Sequence, residues 1–257
     1  MKKGKFLRSL VRTLAVAAFW ILFWFAAARL VNKELLLPRP DSVIRRFFEI
    51  ASSGEFYKVT GTSLLRVLLG IISATVVGVI LAVLSKLSSV LSALMSPIVT
   101  VIKATPVASF IILALVWLDR SALPVFISFL IVFPIVLTNI RTGLDQVDPK
   151  LLEMAKAFRV RRTNIVKNIY MPSLLPFFSA AMKTSLGLAW KAGIAAEVLA
   201  VPALSIGKKL FESKAYLETT DLFAWTLVVI LLSLIIELVF EAVIGRFGKE
   251  RMGEQNA

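Results

Sequence analysis

The chain has 257 residues, 58% of them hydrophobic, and its mean hydropathy of +0.84 excludes a water-soluble globular domain of this length. It contains neither cysteine nor histidine, which excludes disulfides, Cys or His metal sites and histidine-based acid–base catalysis, so no catalytic residue and no metal ligand is assigned. The formal charge of +14 would suggest nucleic acid in a soluble protein, but its distribution reads as membrane topology instead.

A crossing of the bilayer takes roughly 20 apolar residues. Six runs meet that need, at about 13–31, 64–84, 97–118, 122–140, 173–200 and 222–245, and short connections leave no room for a separate soluble domain. The expectation is one all-α, polytopic transmembrane domain over 1–257.

The first run follows Lys2, Lys3, Lys5, Arg8 and Arg12 and ends near Ala26-Ala27-Ala28, like a signal peptide. It continues through Leu30 and Val31 and is bulky with Phe19, Trp20, Phe23, Trp24 and Phe25, so a retained span is expected. Leu37-Pro38-Arg39-Pro40 then breaks the helix. Asp41 or Ser42 can cap an amphipathic helix to about Ala51, with Val43, Ile44, Phe47, Phe48 and Ile50 toward the membrane surface.

In the second run Gly70, Ser73, Ala74 and Gly78 are small residues spaced for close helix packing. The third and fourth contain Pro97, Pro106, Pro124 and Pro134, which predict kinks. Lys103 is expected near the cytoplasmic end of the third, where it can snorkel.

Residues 150–172, KLLEMAKAFRVRRTNIVKNIYMP, interrupt this apolar pattern. Leu152, Ala155 and Phe158 recur at helical spacing, while Lys156, Arg159, Arg161, Arg162 and Lys167 keep the segment out of lipid. Such a short exposed helix between two spans has little of its own chain to bury against, and reads as a handle for a soluble partner.

The fifth run is the least apolar and carries Lys183, Lys191 and Glu197. Ionisable groups at that depth are functional candidates by default. Lys183, Trp190 and Glu197 are seven apart and share a helical stripe, with Gly187 and Ile194 near it. The stripe faces either a water-filled path or neighbouring helices.

With a cytoplasmic N-terminus, the cytoplasmic segments hold the N-terminal basic group, Lys86, those from Arg141 to Lys167, and Arg246, Lys249 and Arg251. The opposite loops carry Glu34, Asp41, Glu49, Glu55, Glu212, Glu218 and Asp221. The positive-inside bias therefore places both termini and the handle in the cytoplasm, with the lipid bilayer rather than nucleic acid as partner. Gly207-Lys208-Lys209 lacks the upstream glycine and the hydroxyl residue of a nucleotide-binding loop.

The handle resembles the EAA signature of type I ABC importer permeases, E-A-A followed by a glycine and then I-x-L-P. Glu153-Met154-Ala155 stands for E-A-A, Arg159 for the glycine and Ile169-Tyr170-Met171-Pro172 for I-x-L-P, with Met154, Arg159 and Met171 departing from it. Arginine at the glycine position makes a positive-φ turn costly, so the handle is expected to run on as a longer helix, about 149–161. Leu37-Pro38-Arg39-Pro40 with Val43, Ser63-Leu64-Leu65-Arg66-Val67-Leu68-Leu69-Gly70, Asp148-Pro149 and Gly187-Leu188-Ala189-Trp190 ahead of Ala196-Glu197 are similar to the sulfonate, taurine and nitrate branch, which also includes permeases for pyrimidine precursors of thiamine.

This resemblance, over about residues 35–245, implies a six-span MetI-like fold in a bacterial inner membrane, a homodimer with the pathway at its two-fold axis, a cytoplasmic ATPase and an extracytoplasmic solute-binding protein. It implies no cofactor in this chain, with ATP and magnesium on the partner. Glu153, Met154, Ala155, Phe158, Arg159 and Arg162 are then the coupling residues. Lys183, Gly187, Trp190, Lys191, Glu197, Lys103 and Pro106 are the pathway candidates. The alternatives are an energy-coupling subunit of a vitamin importer, for which no paired Ala-Arg-Gly motif is present, a membrane-bound enzyme, and a secondary carrier.

Overall fold

A computed structural model describes the backbone of residues 2–254 and the side chains of residues 11–243, which form helices and no strand. The helices are α1 (Lys2–Val31), α2 (Pro40–Ala51), α3 (Gly54–Leu87), α4 (Ser89–Ala104), α5 (Val107–Ala114) and α6 (Leu123–Asp145). They continue with α7 (Pro149–Ala157), α8 (Arg162–Ile165), a π turn (Val166–Tyr170), α9 (Met171–Ala200), α10 (Ile206–Ala215) and α11 (Thr219–Glu254). The side chains of Lys2, Lys3, Lys5, Arg8, Arg246, Lys249 and Arg251, which enter the charge argument, lie outside the described residues.

Four stretches are long and apolar enough to cross a bilayer: Val11–Val31, Gly54–Leu87, Leu123–Asp145 and Thr219–Val243. α9, at 30 residues, has the length as well, although Lys183, Lys191 and Glu197 interrupt its apolar character. The expected third span differs in kind. It starts earlier, at Ser89, and it is broken: α4 and α5 meet at an angle of 103°. Pro106 has no amide hydrogen and its ring disfavours helical backbone at the preceding residue, so Thr105 is extended at φ −83°, ψ 130°. Pro97 and Pro134, by contrast, sit inside continuous helices, and Pro124 lies in the first turn of α6.

Small residues set the packing. α3 and α6 run in the same direction, since a Cβ on Gly70 would lie 2.4 Å from the Val125 carbonyl oxygen and one on Gly78 3.1 Å from Val136. Ala74 between them is fully buried, whereas Ser73 turns away and donates to the Gly70 carbonyl at 3.0 Å. α9 runs antiparallel to both. Gly193 receives Val67 and Ser128, and at the far end of α6 Gly143 receives Leu174 and Phe177. Lys86 pairs with Asp145 at that same end.

The amphipathic segment forms as α2, but its apolar side is divided. Val43 and Ile50 are buried within the protein, Phe47 is half-buried, and only Ile44 and Phe48 remain exposed. The cap also differs, because no side chain caps α2 and Asp41 lies inside its first turn. Arg46 locks α2 to the start of α11, donating to Asp221 at 2.7 and 2.8 Å and to Glu49 at 3.0 Å. These carboxylates hold the guanidinium pKa above its ordinary value, Asp221 first.

Candidate functional site

The handle is a separate helix between α6 and α9. Asp148 Oδ1 accepts from the Lys150 amide at 2.8 Å, and Pro149, which lacks the amide hydrogen, fills the first helical position. α7 stops at Ala157, so the longer helix expected over 149–161 does not form. Arg159 adopts φ 49°, the conformation glycine would supply, and is compatible with the turn after all. The Arg159 amide donates to the Lys156 carbonyl at 3.1 Å and the Val160 amide to the Ala155 carbonyl at 2.9 Å. That pair of bonds is the Schellman arrangement, and it satisfies carbonyls that a frayed end would leave open.

Ala155 is 3% exposed and turns back into the chain, so it does not present itself to a partner as expected. The outward apolar side chains are Leu151, Met154 and Phe158, the last 77% exposed, with Glu153, Arg159 and Arg162 also exposed. Sequence spacing missed Leu151, although i, i+3 and i+7 would have found the stripe it makes with Met154 and Phe158.

The stripe expected on α9 separates into three environments. Trp190 is fully buried and donates its indole N–H to the Val229 carbonyl of α11 at 3.0 Å. Glu197 is equally buried: its Oε2 accepts from the Ser63 hydroxyl at 2.7 Å and from the Gly207 amide at 3.2 Å, and its Oε1 lies 3.4 Å from the Arg66 guanidinium. Neither lines an open path. Lys183 is half-exposed and pairs with Glu241 at 3.1 Å, while Gly187 leaves space that the Glu237 carboxylate occupies.

The Glu197 cluster also holds the following loop. Arg66 donates to the carbonyls of Ala203 at 3.1 Å and Leu204 at 3.4 Å, and Ser63 accepts from the Ile206 amide at 2.9 Å. Two non-glycine residues there, Val201 (φ 48°) and Leu204 (φ 50°), adopt left-handed backbone. For a β-branched residue such as Val201 this is a strained state that persists only where surrounding bonds fix it.

Lys191 instead lies on the open face of α9 with Thr184, Leu188, Ala195 and Leu199. Leu188 borders a cavity of about 170 Å³ at the α4–α5 break, together with Lys103, Thr105, Val107 and Phe110. Pro106 makes the break, and its own side chain is exposed. Lys103 is not at the start of the span. It lies at the far end of α4, about 21 Å along the helix axis from Ser89.

Comparison with known proteins places the chain in a family. Residues 74–250 match the family described as "Binding-protein-dependent transport system inner membrane component". A Bacillus subtilis (strain 168) permease named for aliphatic sulfonate transport, SsuC, is 23% identical over 87% of this chain and 81% of its own. The taurine transport system permease protein TauC of Escherichia coli (strain K12) is 21% identical over 88% and 84%. The nitrate import permease protein NrtB of Synechococcus elongatus is 23% identical over 70% and 68%. Among solved structures, a bacterial ABC transporter involved in import of the acidic polysaccharide alginate matches with a TM-score of 0.60 at 16% identity, over 95% of this chain and 98% of that one. The chain belongs to the binding-protein-dependent inner-membrane permeases of ABC importers, and is a multi-pass transporter subunit rather than an enzyme.

Proposed function

We propose that two copies of this chain form the translocation pathway of an ABC importer and that each α7 seats in a cytoplasmic ATPase. An extracytoplasmic binding protein delivers a small solute, for which the relatives' names point to a sulfonate, a taurine-like compound or nitrate; a thiamine-precursor pyrimidine belongs to the same range. Both termini and α7 are on the cytoplasmic side. ATP and magnesium belong to the ATPase, and this chain holds no cofactor.

The observation that carries the reading is α7 itself. A short helix is capped at both ends, offers Leu151, Met154 and Phe158 outward, and joins the ends of two tightly packed helices, α6 and α9. Motion of α7 is transmitted to α6 and α9 because interlocked helices move as bodies and do not deform continuously. The test is ATP-driven uptake by proteoliposomes containing the permease, its ATPase and its binding protein. Replacing both Met154 and Phe158 by Arg is expected to leave the permease inserted and release the ATPase. Full ATP-coupled uptake by that variant would refute the docking role.

A further inference from the structure

We propose that the α4–α5 break holds an anion-binding subsite of the translocation pathway, formed by Lys103 and Lys191 beside the cavity that Leu188 borders. The proposal rests on the importer reading above and assigns its cargo a charge class, a small oxyanion such as a sulfonate or nitrate.

Three observations converge there. Lys103 and Lys191 have no hydrogen bond or ion pair among the described residues, in contrast to Lys183, which is matched by Glu241. Lys103 is the sole charged residue of α4 and α5, and Lys191 the sole charged residue on the Thr184–Leu199 face of α9. A cationic group deep in a membrane segment without a counter-ion is costly unless it meets water or an anionic ligand.

The two lysines belong to one region. Lys103 lines the cavity directly, and Lys191 follows the lining residue Leu188 by three positions on the same helix face. α5 packs across the adjacent turns of α9, with Ile111 and Ala114 clustered against Ala192, Ala196 and Ala200.

The break itself contributes. Val107, the first residue of α5, lines the cavity, so the amino end of that helix, where amides lack intrahelical acceptors and the dipole is positive, borders the same space. Broken membrane helices present their amino ends to anionic groups for this reason. The remaining walls, Phe110, Ile127, Leu130 and Ile131 among them, are apolar and would strengthen any charge interaction made against them.

The natural chain has no cysteine, which allows a single reporter thiol. In membranes containing the full importer, the Leu188→Cys variant is treated with an anionic sulfonatoethyl methanethiosulfonate and, separately, with a cationic trimethylammonium analogue. The expected result is faster modification by the anion, slowed by excess methanesulfonate or nitrate. Adding Lys103→Gln and Lys191→Gln is expected to reduce the anion preference at least tenfold, and Arg at both positions to restore it. An anion preference unchanged by the double Gln substitution, or no protection by either anion, would overturn the subsite.

Uptake by the wild-type importer separates the two claims. Transport of anions with a charge-blind Leu188→Cys thiol would remove the subsite and leave the importer reading standing. Transport of neutral or cationic solutes alone would remove the subsite together with the charge class of the cargo.

Discussion

The hydroxyl of Ser63 on α3 donates to Glu197 Oε2 on α9 at 2.7 Å, in a spot where both side chains are fully buried. The same carboxylate accepts from the Gly207 amide and lies beside Arg66, so one acidic group ties α3, α9 and the start of α10 together. A Cβ on Gly207 would fall 2.2 Å from that of Glu197, which makes glycine a steric requirement there.

Truncating Glu197 to Ala would leave the Ser63 hydroxyl and the Gly207 amide without their acceptor and Arg66 without its counter-ion. The expected loss is about 3–5 kcal/mol, the usual cost of breaking a buried, hydrogen-bonded charge pair by deleting one partner. Glu197→Gln keeps an acceptor and is expected to lose less. Thermal unfolding in detergent checks the order; equal melting temperatures for Ala, Gln and wild type would contradict it.

Trp190 separates packing from a pathway role. Its indole is enclosed and bonded to Val229, so Trp190→Ala is expected to cost about 3–5 kcal/mol through the cavity it leaves. Trp190→Phe is expected to cost less, about 1–2 kcal/mol, through the lost bond to Val229 and a smaller cavity. Neither should change the charge selectivity of uptake, measured on whatever fraction folds; a selectivity change with wild-type stability would return Trp190 to the pathway.

Arg159 occupies a glycine-like backbone conformation at φ 49°. Substituting Gly is expected to be neutral or to stabilise by up to about 1 kcal/mol, since the Cβ penalty disappears while the unfolded chain gains freedom. A β-branched residue such as Ile is expected to destabilise the turn and weaken ATPase retention. Co-purification of the ATPase with each variant reads this out, and an Ile variant that retains it fully would show the turn to be dispensable.

Phe158 is 77% exposed, so its truncation should leave the permease fold intact. A central aromatic anchor contributes at least about 2 kcal/mol to a protein–protein contact. Phe158→Ala is therefore expected to weaken ATPase binding about thirtyfold, measured by titration of the detergent-solubilised permease. Unchanged affinity would move the anchor to Leu151 or Met154.

Gly70 meets the Val125 carbonyl oxygen with no room for a methyl group. Gly70→Ala is expected to destabilise by about 1–3 kcal/mol through forced separation of α3 and α6. Gly61→Ala, where the added atom meets nothing within 4 Å, is the matched control and is expected to stabilise by up to about 1 kcal/mol in the same melting assay, the helix preference of Ala over Gly.

The sequence by itself determined the class and the linear plan. Apolar runs of bilayer length, basic segments between them and small residues on α3 need only local composition and spacing, because a membrane fixes span length and excludes unpaired charge from lipid. Asp148-Pro149 likewise starts α7 through contacts within two residues. What only the tertiary structure decided is which side of each helix faces inward. The spacing of Lys183, Trp190 and Glu197 puts them on one stripe, yet α11 covers Trp190, α3 and α10 enclose Glu197, and Lys191 one residue from Trp190 is left open. Arg159 shows the same limit at the backbone: the short-range penalty on a left-handed arginine is about 1–2 kcal/mol, and the hydrogen bonds that close α7 hold it there. Local rules give each residue's preference, and packing between segments far apart in sequence decides which preferences are overruled.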